Sequence, residues 1–475
     1  MLSTNLFKSG LTLTIGSALG ALCSFLRNIL VARLIAVEDY GIAATFALTM
    51  TLIEMTSNLA VDRLIVQAEE GDDPKLQGTA HVFEIGRGVL SALILFAIAN
   101  PVALLFNLPN LVWAYQLLAV VPLVRGFIHL DSVRFQREMK FRPAMCIEVL
   151  PQLISFGAAW FIAQEFGDYR LMLALIIVQV VTTVIFSHLL SDRPYRWSWN
   201  GRFFKKIMKF GWPLMLNGVL LFGVFQADRA IVGAAIGMEQ LGWFGAAFTL
   251  TLFPSMVAAK ICQSFLLPLL SRNKADHKRF VDGSNATLEI CLVVGAILAV
   301  ATAVGGPAVL ILLFGERYSE GASVIVWLGL MQGLRLVKAG PVIVAMSRGI
   351  TTLPLLSNIA RSLAIVMALY SVWVGWGVLG VALSAVIGEG LAVVLSFVLL
   401  HSKFTLGFSF ILVRIVCVIT GVALVAILSQ PYFDGSKPFI ELSGAIAAVL
   451  VTLGLSILLM PEFIRWIKQQ AEHNV

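Results

Sequence analysis

The sequence predicts an all-α polytopic membrane protein of about fourteen transmembrane helices. Composition, evenly spaced apolar runs and a one-sided distribution of basic residues predict it. The 475 residues have a mean hydropathy of +0.91, 59% are apolar and only 13% are charged. Soluble domains carry about 25% charged residues. No single water-soluble core could hide this much apolar surface, so most of it must face lipid or other helices.

A spanning helix needs about twenty mostly apolar residues. Fourteen runs meet that need: 6–34, 39–66, 79–105, 112–133, 144–165, 169–190, 207–236, 240–270, 285–314, 321–347, 353–374, 378–401, 406–430 and 439–460. The first run is too long for a secretory signal, contains Arg27 and lacks the tripartite layout of a cleaved leader. Glu38, Asp39 and Gly41 interrupt the apolar stretch after it. They read as a tight interfacial turn where water reaches the acids and Gly41 lets the second helix begin. The longer polar runs are 67–78, 191–206 and 271–284.

The basic residues test that map. Twenty lysines and arginines fall in the loops and chain ends on the side of the N-terminus, with concentrations at 134–142, 193–209 and 272–279. Three, Arg170, Arg317 and Lys437, fall on the other side. Such a bias places both termini in the cytoplasm. It accounts for the net charge of +7 and pI near 9.2, with anionic lipid headgroups as the partner of the basic loops. Nucleic-acid binding would need these residues gathered on a soluble domain, which the chain lacks.

Charges inside the runs are the candidate functional residues. Each costs at least about 2.5 kcal/mol at a helix centre, so most should face the bundle interior or a wet cavity. Arg33, Arg63 and Arg414 lie near span ends and can snorkel. Arg27, Glu54, Arg125, Lys260, Arg335, Lys338 and Arg361 lie nearer the middle. For each one a structural ion pair and a ligand contact both remain open; for the set, an aqueous cavity with positive walls is the better explanation. Arg335 and Lys338, spaced i,i+3, share a helix face, where they either line the cavity or snorkel.

No catalytic or cofactor motif accompanies them. The chain has no HExxH, no Gly-rich phosphate loop and no GxSxG. Its six histidines are scattered and its five cysteines sit in apolar runs without metal-ligand spacing. No cofactor, metal or enzymatic activity is expected. With no nucleotide-binding domain, transport would draw on an ion gradient, the membrane potential or the substrate gradient.

The corner recurs. A gapless shift of 201 residues sets Lys8 on Lys209, Gly10 on Gly211, Ile35 on Ile236, Glu38 on Glu239 and Gly41 on Gly242. Equivalent points of the helix map therefore carry the same Glu–x–x–Gly word. This reads as a parallel duplication about an axis along the membrane normal. An N-lobe of helices 1–6 over 1–200, a C-lobe of helices 7–12 over 201–405, and two further helices with a cytoplasmic tail over 406–475 are expected. The same shift sets Arg27 opposite Asp228, and the two would pair when the lobes close.

Local words carry a resemblance. "ARLIAVEDYGIAATFAL" and "DRAIVGAAIGMEQLGWFGAA" resemble the first and seventh-to-eighth helix hairpins of bacterial polysaccharide flippases in the multidrug/oligosaccharidyl-lipid/polysaccharide exporter superfamily. "FPSMVAAKICQSFLLPLLSR" and "LFGERYSEGASVIVWLGL" are similar to the eighth helix and the ninth-to-tenth turn. "VRFQREMKFRPAMCIEVLPQLISF" is similar to the turn before the fifth helix in exopolysaccharide and colanic-acid-type exporters. The resemblance implies two pseudo-symmetric six-helix lobes in a V around a central cavity, and alternating access. It implies a lipid-linked oligosaccharide, an undecaprenyl-diphosphate sugar, flipped across the cytoplasmic (inner) membrane for exopolysaccharide, lipopolysaccharide or other surface-polysaccharide biosynthesis. Membrane lipids, a polysaccharide polymerase and export machinery are the implied partners.

Arginine suits a diphosphate because its planar fork bonds two oxygens. Candidate substrate contacts are Arg27, Arg125, Lys260, Arg335, Lys338 and Arg361; Glu54, Asp228 and Arg229 are candidates for coupling or gating. "SFLRN" resembles the first-helix segment of the lipid II flippase, whose arginine lines the cavity. Asn28 replaces that relative's aspartate, so no coupling role of the acid carries over. A drug/cation antiporter or lipid II flippase of the same superfamily stays open, as does a membrane polymerase or acyltransferase. The short outer loops and the absence of a catalytic cluster weigh against an enzyme.

Overall fold

The computed structural model describes residues 2–272, 276–403, 420–421, 424–425, 428, 435 and 437–466. These are almost wholly helical, with no strand among the described residues. In chain order the helices are α1 (Leu2–Leu34), α2 (Val37–Ser57), α3 (Val61–Gln67), α4 (Pro74–Leu105), α5 (Val112–Leu118), α6 (Val120–Arg125), α7 (Asp131–Arg137) and α8 (Arg142–Ile162). Then come α9 (Arg170–Leu189), α10 (Gly201–Ala235), α11 (Met238–Arg272), α12 (His277–Phe314), α13 (Ala322–Ser347), α14 (Thr352–Trp373), α15 (Gly377–Lys403) and α16 (Pro438–Leu459). Among the described residues, ten helices are long and apolar enough to cross a membrane, or eleven with α2 and α3 taken as one bent span.

Those ten coincide with ten of the expected spans, and α1 covers the first. Two expected spans differ. The run 39–66 bends by 44° between α2 and α3. There the Asn58 side chain accepts the Ala60 N–H at 2.7 Å, an alternative to the helical ladder, and Ala60 takes a left-handed φ of 52°. The run 112–133 is not one helix. Pro122 has no N–H and its ring crowds the carbonyl four residues back, at Leu118, where α5 stops. The span 406–430 lies largely outside the described residues.

Capping marks the polar starts. Asp73 accepts from Lys75 N–H ahead of Pro74 in α4, Asn200 from Arg202 and Phe203 in α10, and Asp276 from Arg279 in α12.

The chain forms two compact units, Met1–Gly242 and Trp243–Val475. In the first, α1 packs on α8, α8 on α9, and α10 on α2. In the second, α12 packs on α13 and α14 on α15. Gly295 and Gly333 lie against each other's carbonyls, so small residues bring α12 and α13 backbone to backbone.

The recurring corner has a structural reason. α1 ends at Leu34 and α2 starts at Val37; adding 201 gives Ala235 and Met238, where α10 ends and α11 starts. The turn itself is Ile35–Ala36, so Glu38 and Asp39 lie in the first turn of α2, where the helix dipole favours acids. Glu239 holds the same place in α11. Gly41 presses on the Met238 backbone and Gly242 on the Val37 backbone. These are the same contact under the 201-residue shift, made twice with the partners exchanged. A methyl at either glycine would overlap a carbonyl oxygen.

Gly41→Ala and Gly242→Ala are each expected to lower the thermal midpoint of the detergent-solubilised protein, since overpacking costs about 1–3 kcal/mol. Gly86→Ala in α4, where a methyl would meet open space, should leave it unchanged. Equal midpoints for all three variants would remove the steric reading.

Candidate functional site: buried cations in each unit

In the first unit Arg27 lies about two turns before the end of α1 and is buried. Its Nη1 donates to Ser155 Oγ of α8 at 3.2 Å and to Gln179 Oε1 of α9. Ser155 in turn donates to the Leu175 carbonyl at 3.2 Å. Three helices therefore hold one guanidinium through neutral oxygens. Among the described residues no carboxylate reaches it, and its Nε makes no hydrogen bond. A buried cation held this way keeps its full charge, which makes it a strong attractor for an anion.

Glu54 of α2 and Arg125 of α6 form an ion pair at 2.8 Å, their side chains 43% and 47% exposed. A half-exposed ion pair is costly in hydrocarbon, which favours a position facing a hydrated space. α6 is positioned by Gly88 of α4 and Gly126, which bring backbone against backbone. On α10, Asp228 Oδ1 accepts the Arg229 N–H at 2.9 Å and Arg229 donates to Gln226. The structure does not bring Arg27 and Asp228 together: Arg27 is engaged by Ser155 and Gln179, and Asp228 by its neighbour in the chain.

In the second unit three cations converge on one carboxylate. Arg335 Nε and Arg361 Nε each lie 2.9 Å from Glu389 Oε1, and Lys338 Nζ lies 2.8 Å from Oε2. Glu389 is fully buried, and Lys338 and Arg361 are buried. The helical spacing sets Arg335 and Lys338 on one face of α13, α14 supplies Arg361, and α15 supplies Glu389. The expected pair therefore does not snorkel. The four side chains together carry a formal charge of +2, three cations less one anion. Lys260 of α11 is exposed and joins no ion pair among the described residues.

Glu389, an acid inside the apolar run 378–401, is not among the candidates the sequence offered. Charge balance was the available signal, because the second half carries four mid-span cations, Lys260, Arg335, Lys338 and Arg361, which call for a nearby acid. Ser155 and Gln179 gave no signal, since such residues are common in membrane helices.

Residues 30–323, well over half of the chain, match the family described as "Polysaccharide biosynthesis protein". The amylovoran biosynthesis protein AmsL of Erwinia amylovora is 23% identical over 323 residues, covering 66% of this chain and 82% of the relative. The teichuronic acid biosynthesis protein TuaB of Bacillus subtilis (strain 168) is 22% identical over 280 residues, and the chain spans 57% of its length. Among solved structures, the inward closed lipid II flippase MurJ superposes with a TM-score of 0.73 at 14% identity, over 93% of this chain and 98% of that one. An inward-facing MATE-family transporter of the MOP superfamily superposes with a TM-score of 0.64 at 16% identity, over 81% and 94%. The chain thus has the fold of those transporters and belongs to the polysaccharide biosynthesis protein family.

Proposed function

We propose that the protein is a transporter that turns an undecaprenyl-diphosphate-linked oligosaccharide from the cytoplasmic to the outer leaflet of a bacterial inner membrane, by alternating access. The observation that carries this reading is Arg27, a buried cation within a span, held only by neutral oxygens. A charge that costly persists where it has work on an anion. The convergence of Arg335, Lys338 and Arg361 on a single Glu389 supports the same reading. A sugar diphosphate cannot enter hydrocarbon unaided, but a wet groove with positive walls can carry it while the lipid tail stays in the bilayer. Arg27 would bond phosphate oxygens, Arg335 and Lys338 would add long-range attraction, and the hydrated Glu54–Arg125 pair would open or close with the state of the cavity. The family named for polysaccharide biosynthesis and the fold shared with a lipid II flippase agree with this substrate class. A drug/cation antiporter of the same fold would instead place acids where this chain places cations. Both termini would lie in the cytoplasm, and a polymerase would receive the flipped lipid.

Native mass spectrometry of the purified protein tests the substrate class. It should retain an undecaprenyl-diphosphate oligosaccharide and not undecaprenol, which has the same tail without phosphates. Arg27→Gln should weaken retention at least about tenfold, because a hydrogen bond to a charged group contributes about 1.5–3 kcal/mol. Equal retention of both lipids would refute a phosphate-directed site.

A further inference from the structure

The first unit holds a second basic site, away from the intramembrane charges, which transport as proposed does not use. It is a cavity of about 160 Å³ between the start of α4 and the 190–200 segment that leads into α10. Its polar lining is Gln77, His81, Arg193 and Arg196. We propose that this cavity binds a phosphate group, supplied by an anionic phospholipid headgroup or by a soluble phosphate compound.

Arg193 and Arg196 line the cavity, and neither side chain joins an ion pair among the described residues. Arg193 Nη1 donates to the Asp72 carbonyl at 3.0 Å and to Gln77 Oε1 at 3.3 Å. Both acceptors are neutral, so they orient the guanidinium without neutralising it. The Arg196 side chain joins no ion pair among the described residues, and its backbone is anchored. His81 Nε2 accepts the Leu130 N–H at 3.2 Å, which leaves Nδ1 as the protonated nitrogen, and Nδ1 donates to the Arg196 carbonyl at 3.1 Å. His129 does the same one step along: Nδ1 accepts the Asp131 N–H at 3.1 Å and Nε2 donates to the Arg193 carbonyl at 3.0 Å. Two neutral imidazoles thus grip the carbonyls of both arginines and fix the backbone from which the side chains extend. Preorganised donors of this kind bind anions without paying to order a loop.

The nearby acids are committed elsewhere. Asp131 accepts from Arg134 Nε at 2.6 Å and from the N–H groups of Asp192 and Arg193 at 2.8 and 3.1 Å. Arg134 also pairs with Glu138 and, at 3.8 Å, with Asp192, so this guanidinium serves three carboxylates. Asp72 pairs with Arg137 at 3.2 Å. Phosphate suits two guanidiniums carried three residues apart on one segment, because its tetrahedral oxygens can bond to both. The depth fits too. Trp197 and Trp199, next in the chain, are 69% and 63% exposed, and exposed indoles sit at the level of lipid headgroups.

The test uses the purified full chain, stripped of lipid, with the tightest bound ligand counted by native mass spectrometry. Phosphatidylglycerol should bind in preference to diacylglycerol with the same acyl chains. Arg193→Gln with Arg196→Gln should weaken that binding about tenfold, while Lys278→Gln with Arg279→Gln, two basic residues of α12, should not change it. Arg196→Gln alone breaks no described bond. It should weaken binding about threefold at an unchanged thermal midpoint, which separates loss of the site from loss of the fold. Inorganic phosphate supplies the second arm. Displacement of the lipid at millimolar phosphate assigns the site to soluble phosphates, and no displacement assigns it to the lipid headgroup; either result supports a phosphate site. Binding of both phosphatidylglycerol and inorganic phosphate at the wild-type level by the double and single variants would overturn it.

Discussion

Glu389→Gln is expected to remove most of the folded protein from the membrane. One substitution breaks three ion pairs of 2.8–2.9 Å and leaves Arg335, Lys338 and Arg361 facing an amide. Breaking one buried pair costs about 3–5 kcal/mol, because the surviving charge stays buried without a partner. A glutamine side-chain oxygen can still accept one hydrogen bond but cannot offset the charge of three cations. Glu389→Asp keeps the charge on a side chain one methylene shorter, so it should fall between wild type and Glu389→Gln. Fluorescence-detected size exclusion of a tagged chain reports the folded fraction. A Glu389→Gln variant as abundant and as heat-resistant as wild type would show that water, not Glu389, carries the charge balance.

Arg335→Gln with Lys338→Gln should do the opposite, keeping the fold and losing transport. The double change leaves Arg361 paired with Glu389 at 2.9 Å, so the cluster falls from +2 to neutral and no charge is orphaned. Stability should change little. Surface-polysaccharide export by cells carrying the variant should drop at least about tenfold, because two charge-assisted attractions to a diphosphate are lost at once. Unchanged export would make the cluster a structural ion network. Reduced export together with reduced folded protein would point to the same structural role.

Much of this architecture was legible in one dimension because membrane spans are. Hydrocarbon demands long apolar helices, so ten helices match ten expected spans. The corner was legible because a close backbone approach demands glycine in both partners. Gly41 and Gly242 announce one contact twice, and the helix ends on either side keep the same 201-residue register. The breaks were harder to read. Pro122 splits the run after Leu118, yet Pro101, Pro151 and Pro307 sit inside continuous helices, where neighbouring groups absorb the lost hydrogen bond. Composition alone does not separate these cases.

The site was legible as a set of charges and not as partners. Arg27 meets Ser155 and Gln179, 128 and 152 residues away, through helix packing that no local pattern encodes. Arg335 and Lys338 were paired by their spacing, but Arg361 and Glu389 join them from two other helices. The phosphate cavity escaped notice because its arginines look like ordinary positive loop residues. Only the histidine hydrogen bonds to their carbonyls set them apart.

The proposed activity is the movement of a lipid diphosphate sugar across the bilayer. Liposomes holding the purified protein and a fluorescent undecaprenyl-diphosphate oligosaccharide test it most directly. A membrane-impermeant quencher added outside reads how fast the inner-leaflet pool becomes accessible. Wild-type protein should expose that pool well faster than empty liposomes do. Arg27→Gln and the Arg335→Gln, Lys338→Gln double variant should slow the exposure at least about tenfold while remaining folded. Wild-type protein that leaves the inner pool protected for as long as empty liposomes, under each imposed ion gradient and membrane potential, would contradict it.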